Sequence, residues 1–526
     1  MVFTIKNQEY QQVQSLRNGG GNLSIPNTKF LDQFVIFVFI AICIFLNSIF
    51  PIILSHFGFD LSQNITGLFV FFGWNSLIAY RSTVVLLSFL SVKSLPKLKD
   101  LTTSPRVALL YLTKDDASYE ILAHLDKQVY SNYEVYVLDD SEIEDSHNVL
   151  FQFPYKIVRR KDKSGYKAGN LNYWIENFAH EFEYFVVLDS DSAIPPNYIA
   201  EMLKFAEHQE NREVAIFQSR LCADQSRNLL SKYQTLVLKI QQVFFERIGN
   251  RMSTMENWGH NILVRVPAIR DNGGFNPNFV GEDIATTFDL WEKGWSCHFV
   301  DVPSWEGVPS TLESFTKKTV RTTLSNAQLI LNGKWSISVF HKMFLFMSIY
   351  PFILLGLSLP FLLKAVLSFP ISIGAFSNNT LIVLWENYST VFLFIWGYFG
   401  FFIIFDLPLF IRAGLNIKEI AFVKITGLAL SLHLLWPIIK GLVEVLLQKR
   451  LKFTVTPKKS ESRPFSVKFS EIIPTIFLVV IFIVGIVWNP IAFVFNVHWL
   501  TFFLIAPFLL MRLEKERLPR QIFYSI

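Results

Sequence analysis

Two carboxylates stand one residue apart in Val187-Leu-Asp189-Ser-Asp191-Ser, where an apolar run ends. A strand that ends this way projects both from the edge of its sheet. A divalent cation can take one or both and keep ligand positions for phosphate oxygens. Mg²⁺ or Mn²⁺ held there would neutralise the charge that builds on a departing diphosphate. Alone, Asp-x-Asp also describes a solvated acidic turn, and the pair is common enough to arise by chance.

Other reactive residues keep it company. Val137-Leu-Asp139-Asp140-Ser141 closes the preceding apolar run. A carboxylate there could bond the uracil or ribose of a nucleotide, as acidic residues do after early strands of nucleotide folds. Asp115-Asp116 follows the first such run in the same way. Arg159-Arg160 and then Lys167-Ala-Gly-Asn-Leu-Asn172 set positive charge beside small residues, which lets a loop approach a diphosphate closely. Gly281-Glu282-Asp283 follows the turn-rich Asn272-Gly-Gly-Phe-Asn-Pro-Asn and opens a helical stretch from Ile284 to Lys293. A carboxylate at a helix start is ordinarily a cap. Asp283 also suits the general base that inverting sugar transfer needs on the face opposite the leaving group. Each piece alone reads as a turn or a cap; chance explains the ordered set poorly.

The elements that must position these groups lie in residues 93–336. Val107–Leu112, Tyr133–Leu138 and Tyr184–Leu188 read as buried strands that end close to acidic residues, with charged helical stretches between them. The pattern predicts an α/β domain with a mostly parallel, Rossmann-like sheet and ligands beyond the carboxyl ends of its strands. Residues 227–250 carry Leu229, Tyr233, Leu236, Ile240 and Phe244 at helical spacing. That helix faces either the core or a membrane surface.

The rest of the chain is apolar. Of 526 residues, 51% are hydrophobic and only 17% charged, with 53 Phe. This balance points to a membrane protein with room for a soluble domain. Residues 31–92 read as two spans, with Arg81 inside the second; an intramembrane Arg should face protein, water or substrate rather than lipid. Further spans are expected near 345–368, 389–411, 472–489 and 491–511, that is, as helix pairs within 337–412 and 470–511. Residues 413–447 are apolar yet charged, and read as an interfacial or re-entrant helix. Topology supports this, because the basic segment 448–469 and the basic tail 512–526 should share the cytosolic side with 93–336 and with residues 1–30. Asn64, Asn378 and Asn387 head weak sequons that would then lie outside. Trp74, Trp385 and Trp436 read as interfacial anchors, with the lining of a chain route as the alternative. Cys43, Cys222 and Cys297 lack the spacing of a disulfide framework or a zinc site. The net charge of +5 suits anionic lipid better than nucleic acid. The polar N-terminal segment lacks the layout of a cleavable signal, and no internal repeat is visible.

In this order, the acidic strand ends, Lys167-Ala-Gly-Asn-Leu-Asn172, Asp189-Ser-Asp191, Gly281-Glu282-Asp283 and a later basic helix resemble the family-two inverting glycosyltransferases of GT-A fold. Within that family they look like the membrane-integrated polysaccharide synthases: cellulose synthase, hyaluronan synthase and the periplasmic-glucan glucosyltransferases. The resemblance covers about residues 105–335 well and the membrane part loosely. It implies that Asp140 and Asp116 face the nucleotide, that Arg160, Lys167, Asp189, Lys318 and Arg321 bind the donor, that Asp189 and Asp191 take the metal, and that Asp283 is the base. Trp258-Gly259-His260-Asn261 resembles an acceptor-side motif, which Glu282 joins. Phe453-Thr-Val455-Thr456-Pro-Lys458 matches a gating loop that covers the donor pocket. One departure stands out. Where the family has Gln-x-x-Arg-Trp, this chain has Lys318-Thr-Val-Arg321-Thr322. Thr322 cannot supply the ring on which an acceptor sugar stacks; Trp258 or Trp335 would have to.

The expectation is therefore a multi-pass plasma-membrane enzyme with a cytosolic catalytic domain. It would use a UDP-sugar, UDP-glucose ahead of others, with Mg²⁺ or Mn²⁺, to extend a β-linked glycan, with translocation of that glycan as a further step, membrane lipids around it and room for accessory subunits. A single transfer to a lipid acceptor is one alternative. A non-catalytic transporter or scaffold that binds nucleotide is another.

Overall fold

A computed structural model describes residues 28–56, 65–90, 100–224, 228–244, 249–250, 255–337, 339–354, 356, 407–447, 506 and 508–515. Helices α1 (Thr28–His56) and α2 (Ile65–Leu90) come first and pack on each other. Asn75 Nδ2 donates to Asn47 Oδ1 across the pair at 2.8 Å. Buried amides joined between apolar helices fix their register.

The three runs legible as strands are β1 (Val107–Thr113), β2 (Tyr133–Asp139) and, further on, β4 (Tyr184–Asp189). Every residue of β1 is buried. A strand covered on both faces reads as a continuous apolar run for that reason. β1 pairs in parallel with β2 and β4, Val107 standing opposite Tyr133 and Tyr184. The sequence pattern did not single out β3 (Lys156–Val158), β5 (Val214–Asp224), β6 (Ile262–Arg265) or β7 (Ser296–Gly307). All seven join one sheet in the order β3-β2-β1-β4-β6-β5-β7. β6 runs antiparallel to both β4 and β5, whereas β5 and β7 are parallel. The expected α/β sheet is thus present, mostly parallel with one reversed strand: a GT-A-like fold.

Helices cover both faces. α3 (Tyr166–Asn177) buries Trp174 among Tyr136, Phe182 and Phe185. α4 (Tyr198–Ala206) buries Tyr198, Ile199, Met202 and Leu203 on the other face. Each such side chain contributes roughly 1.5–3 kcal/mol by leaving water. α5 (Leu229–Phe244), α6 (Glu282–Glu292) and α7 (Leu312–Asn332) complete the domain.

The segment read as interfacial or re-entrant is one continuous helix, α8 (Ile417–Leu446), with an Asn416–Glu419 capping box. Among the described residues it is the one helix long and apolar enough to cross a membrane by length and composition. Leu430, Leu434 and Ile438 pack with Leu230 of α5 and with Leu312 and Phe315 of α7. Thr316 Oγ1 and His433 Nε2 lie 3.0 Å apart, and a Cβ on Gly441 would meet Leu324 Cδ1. Ile425, Trp436 and Val443 of α8 are exposed. α5 packs on this helix too, through Leu236 with Val423. Arg81 lies close enough to Tyr233 of α5 to act on it electrostatically. The gating-loop residues Phe453, Val455, Thr456 and Lys458, Asn64, Asn378 and Asn387 of the sequons, Trp385, the span expected at 472–489 and much of those expected at 345–368, 389–411 and 491–511 lie outside the described residues.

Candidate active site

The carboxyl ends of β1, β2 and β4 gather the expected acidic residues, and much of that acidity is neutralised within the protein. Asp140 is gripped by Arg160, Nε to Oδ1 at 3.0 Å and a terminal nitrogen to Oδ2 at 2.6 Å. The same guanidinium donates to the carbonyls of Ser164 and Tyr166 at 2.6 and 2.7 Å. It is buried, with a side chain only 4% exposed. Arg160, expected near the donor phosphates, is therefore a strut between β2 and α3. A Cβ on Gly169 would collide with Ser164 O and the Arg160 guanidinium. The small residue of Lys-Ala-Gly-Asn makes room for that strut. Arg159 pairs with Asp139 at 2.7 Å. Burial pushes the Asp139 carboxyl up, but hydrogen bonds from Ser141 and the Arg159 charge outweigh it and hold it below the usual range.

Asp116 also faces protein. Its Oδ1 accepts from Thr113 Oγ1 and the Lys114 backbone, each at 3.0 Å, and its Oδ2 accepts from Ser190 Oγ at 2.5 Å. Ser190 is the residue between the paired carboxylates, and its carbonyl also accepts the Tyr111 hydroxyl at 3.1 Å. Asp116 thus fixes the Asp189–Asp191 turn. Asp189 carries the Lys167 ammonium at 2.5 Å. Asp191 lies over the backbone of Gly307 at the end of β7, its Oδ2 2.8 Å from where a Cβ would stand. Two hard carboxylates on one turn, one already holding a cationic group, fit a divalent ion that borrows other ligands from a diphosphate. Among the described residues no group of three or more His, Cys, Asp or Glu forms a closed metal cage.

On the far side lies the Gly281-Glu282-Asp283 turn. Both carboxylates occupy the first turn of α6 and are half-buried. Burial pushes Asp283 upward, against the pull of Lys167 and Arg321. Burial and the Asp283 charge push Glu282 upward as well. Asp283 Oδ1 accepts the Ile284 backbone N–H at 2.9 Å. Its Oδ2 lies 3.3 Å from the Cβ position of Gly259, whose φ of +83° favours glycine. Asn257 reaches the same turn, Nδ2 to Asp283 O at 3.4 Å. The Trp258 backbone N–H donates to Gln218 Oε1 at 2.9 Å. His260 bonds Glu306 through Nε2 at 2.7 Å. Burial disfavours charge on both, yet Lys318 and His260 hold Glu306 down to about 2, and Glu306 raises His260.

The expected residues Lys167, Asp189, His260, Glu282, Asp283, Lys318 and Arg321 thus meet in one electrostatic neighbourhood, with Gly259 against Asp283 and Asp191 against Gly307, the neighbour of Glu306. Lys318 acts on Glu306 and Arg321 on the two α6 carboxylates. Thr322 is exposed and donates to its own helix, to Lys318 O at 3.0 Å. Trp335 is packed against Phe279 and Phe288 with its Nε1 on Asp289 at 2.6 Å, and it and Trp258 are both half-buried. Gln218, Glu256 and Glu306 escaped the sequence reading. Glu306 precedes a glycine at a strand end, a signal hidden because β7 was not recognised.

A GT-A-like sheet with paired carboxylates at its switch edge and a half-buried carboxylate across from them defines a class of sugar-transferring domains. Residues 184–405 match the family described as Glycosyl transferase family group 2. It is similar to the "Glucans biosynthesis glucosyltransferase H" proteins of Xylella fastidiosa (strain 9a5c), 25% identical over 183 residues, and of Rhodopseudomonas palustris (strain ATCC BAA-98 / CGA009), 22% identical over 262 residues. The matches cover 32% and 43% of this chain but only 28% and 35% of those proteins. Among solved structures it is similar to a mannosyltransferase from Pyrobaculum calidifontis in complex with GDP-Man and Mn²⁺, at 17% identity and a TM-score of 0.44, over 71% of this chain and 98% of that one.

Proposed function

We propose that the protein is an inverting, membrane-bound glycosyltransferase that moves a sugar from a nucleotide-sugar donor, UDP-glucose ahead of others, to the hydroxyl of a glycan. The observation that carries this reading is the placement of Asp283: its Oδ2 stands 3.3 Å from the Cβ position of Gly259 in the acceptor-side loop, and desolvation raises its proton affinity against the pull of Lys167 and Arg321. A base in that condition is better matched to taking a proton near neutral pH than an ordinary aspartate. With Oδ1 held by the Ile284 N–H, Oδ2 is the atom that takes the acceptor proton. Asp189 and Asp191 would hold Mg²⁺ or Mn²⁺, which when bound supplies positive charge to the departing diphosphate. Lys167, released from Asp189, and Arg321 bind and orient the diphosphate. Asp140 presents the β2 end to the nucleotide while Arg160 keeps it in place.

The names of the relatives support glucose as the sugar and a glucan as the product. In the membrane, α1 and α2 are read as spans. α8 is read as an interfacial helix, because one face packs along α5 and α7 and the other is apolar and exposed. The segment with Phe453, Val455, Thr456 and Lys458 is read as the lid over the donor. A single transfer to a lipid acceptor is the second reading, and the exposed, ring-free Thr322 favours it. The test is radiolabelled transfer by purified, lipid-reconstituted protein across UDP-sugars and GDP-mannose with Mg²⁺ or Mn²⁺, products resolved by size. A polymer made from UDP-glucose supports the first reading and one sugar on lipid the second. No nucleotide release from any donor overturns both.

A further inference from the structure

One buried hydroxyl beside the base has no assignment in the reaction above. Ser325 lies on α7 and is 4% exposed, and its Oγ has no hydrogen-bond partner among the described residues. Buried hydroxyls normally find one, and in a helix the usual partner is the carbonyl one turn back. Nearby threonines do this: Thr322 donates to Lys318 O and Thr287 to Asp283 O, both at 3.0 Å. Ser325 instead faces Gly281. A Cβ built on Gly281 would stand 2.2 Å from Ser325 Oγ and 3.7 Å from Asp283 Oδ1. The serine hydroxyl therefore fills the space that any side chain at position 281 would take, with the base carboxylate close beside it. Gly281 has φ −93°, which any residue adopts, so glycine is needed here for space. A second buried polar atom next to the base, Glu256 Oε1, also has no partner among the described residues.

We propose that Ser325 is a positioning residue of the acceptor site: its hydroxyl bonds a second hydroxyl of a neutral, polyhydroxylated acceptor whose attacking hydroxyl faces Asp283. One donor hydrogen and two lone pairs match a sugar hydroxyl, which both gives and accepts. Ser325 stands four residues after Arg321, on the same helical stripe, so α7 would hold the diphosphate at one turn and the acceptor at the next. The inference rests on the transferase reading.

The experiment uses the full-length, lipid-reconstituted protein, UDP-glucose, and β-linked gluco-oligosaccharides as the acceptor probe. Transfer to the probe and hydrolysis to water are counted together. In Ser325→Ala the KM for the oligosaccharide rises about tenfold, the loss of one hydrogen bond, and the ratio of transfer to hydrolysis falls with it. The KM for UDP-glucose stays within about twofold. Equal loss of transfer and hydrolysis would reveal a packing role and overturn the proposal, as would an unchanged acceptor KM. If the alanine variant does not fold, Ser325→Cys keeps the volume with a weaker hydrogen-bonding group and is read by the same ratio. An active wild type with an unaltered variant sinks this inference alone. A wild type that neither transfers nor releases UDP sinks the transferase reading first, and this with it.

Discussion

The two banks of the site treat their carboxylates in opposite ways. On the β1–β2 side, Asp115, Asp116, Asp139 and Asp140 are all bound within the protein: Asp140 to a forked guanidinium, Asp139 to Arg159, Asp116 to Ser190, and Asp115 to the backbone N–H groups of Glu142 and Ile143 at 2.7 and 2.8 Å. On the α6 side, Glu256 is buried and Glu282 and Asp283 are half-buried, all with few donors, and each is pushed toward its protonated form. A satisfied carboxylate holds shape and an under-satisfied one holds reactivity, because a low-dielectric site amplifies whatever charge is left uncompensated. The contrast separates scaffold from chemistry among residues that look alike in sequence.

Asp283→Asn is the strongest challenge to that division. Removing the proton acceptor while keeping its shape should lower transfer about 10²–10⁴-fold, with nucleotide binding retained, as read by UDP titration beside the activity assay. The apparent melting temperature should hold or rise, since one of two crowded acidic groups is gone. A fall in stability comparable to the fall in rate would put Asp283 with the scaffold.

Arg160→Ala makes the reverse test. Leaving Asp140 buried without its partner should destabilise the domain by about 3–5 kcal/mol, read as a sharp drop in melting temperature or a loss of folded protein. Arg160→Lys should rescue only part of this, because an ammonium cannot reproduce the fork. A stable Arg160→Ala protein with weakened UDP affinity would return Arg160 to the donor phosphates. Gly307→Ala is milder. Its methyl group would press on Asp191, whose Oδ2 stands 2.8 Å away. The misplaced carboxylate should lower transfer about 10- to 100-fold and weaken Mn²⁺ binding, measured by electron paramagnetic resonance, in a folded protein.

The same contrast explains what the sequence disclosed. β1, β2 and β4 were legible because central parallel strands are apolar without interruption, and their acidic ends mark the ligand edge. β7 was not, since its inner and outer residues alternate around Pro303 and its burial changes from residue to residue. The Asp-x-Asp turn and Gly281-Glu282-Asp283 could be read from residue type and order alone. Which of the acidic and basic neighbours were struts could not, because Arg160 finds Asp140 twenty positions away across the sheet. Nor did any local pattern mark Glu256, whose character comes entirely from what surrounds it.

Glu256 gives the smallest effect and the cleanest sign. Burial, aided by the Asp283 charge, raises its carboxyl from 4.5 to about 8. Between those values the folded protein binds the proton and the unfolded chain has released it. Wild-type stability should therefore fall as pH rises from about 4.5 to about 8. Glu256→Gln is neutral throughout and lacks this slope. The melting temperatures of the two proteins should lie close together near pH 5 and separate by a few degrees at pH 8, with the variant the more stable. A difference that stays flat with pH would mean that Glu256 is compensated, and the α6 bank would then differ from the β1–β2 bank only at the two carboxylates of its first helical turn.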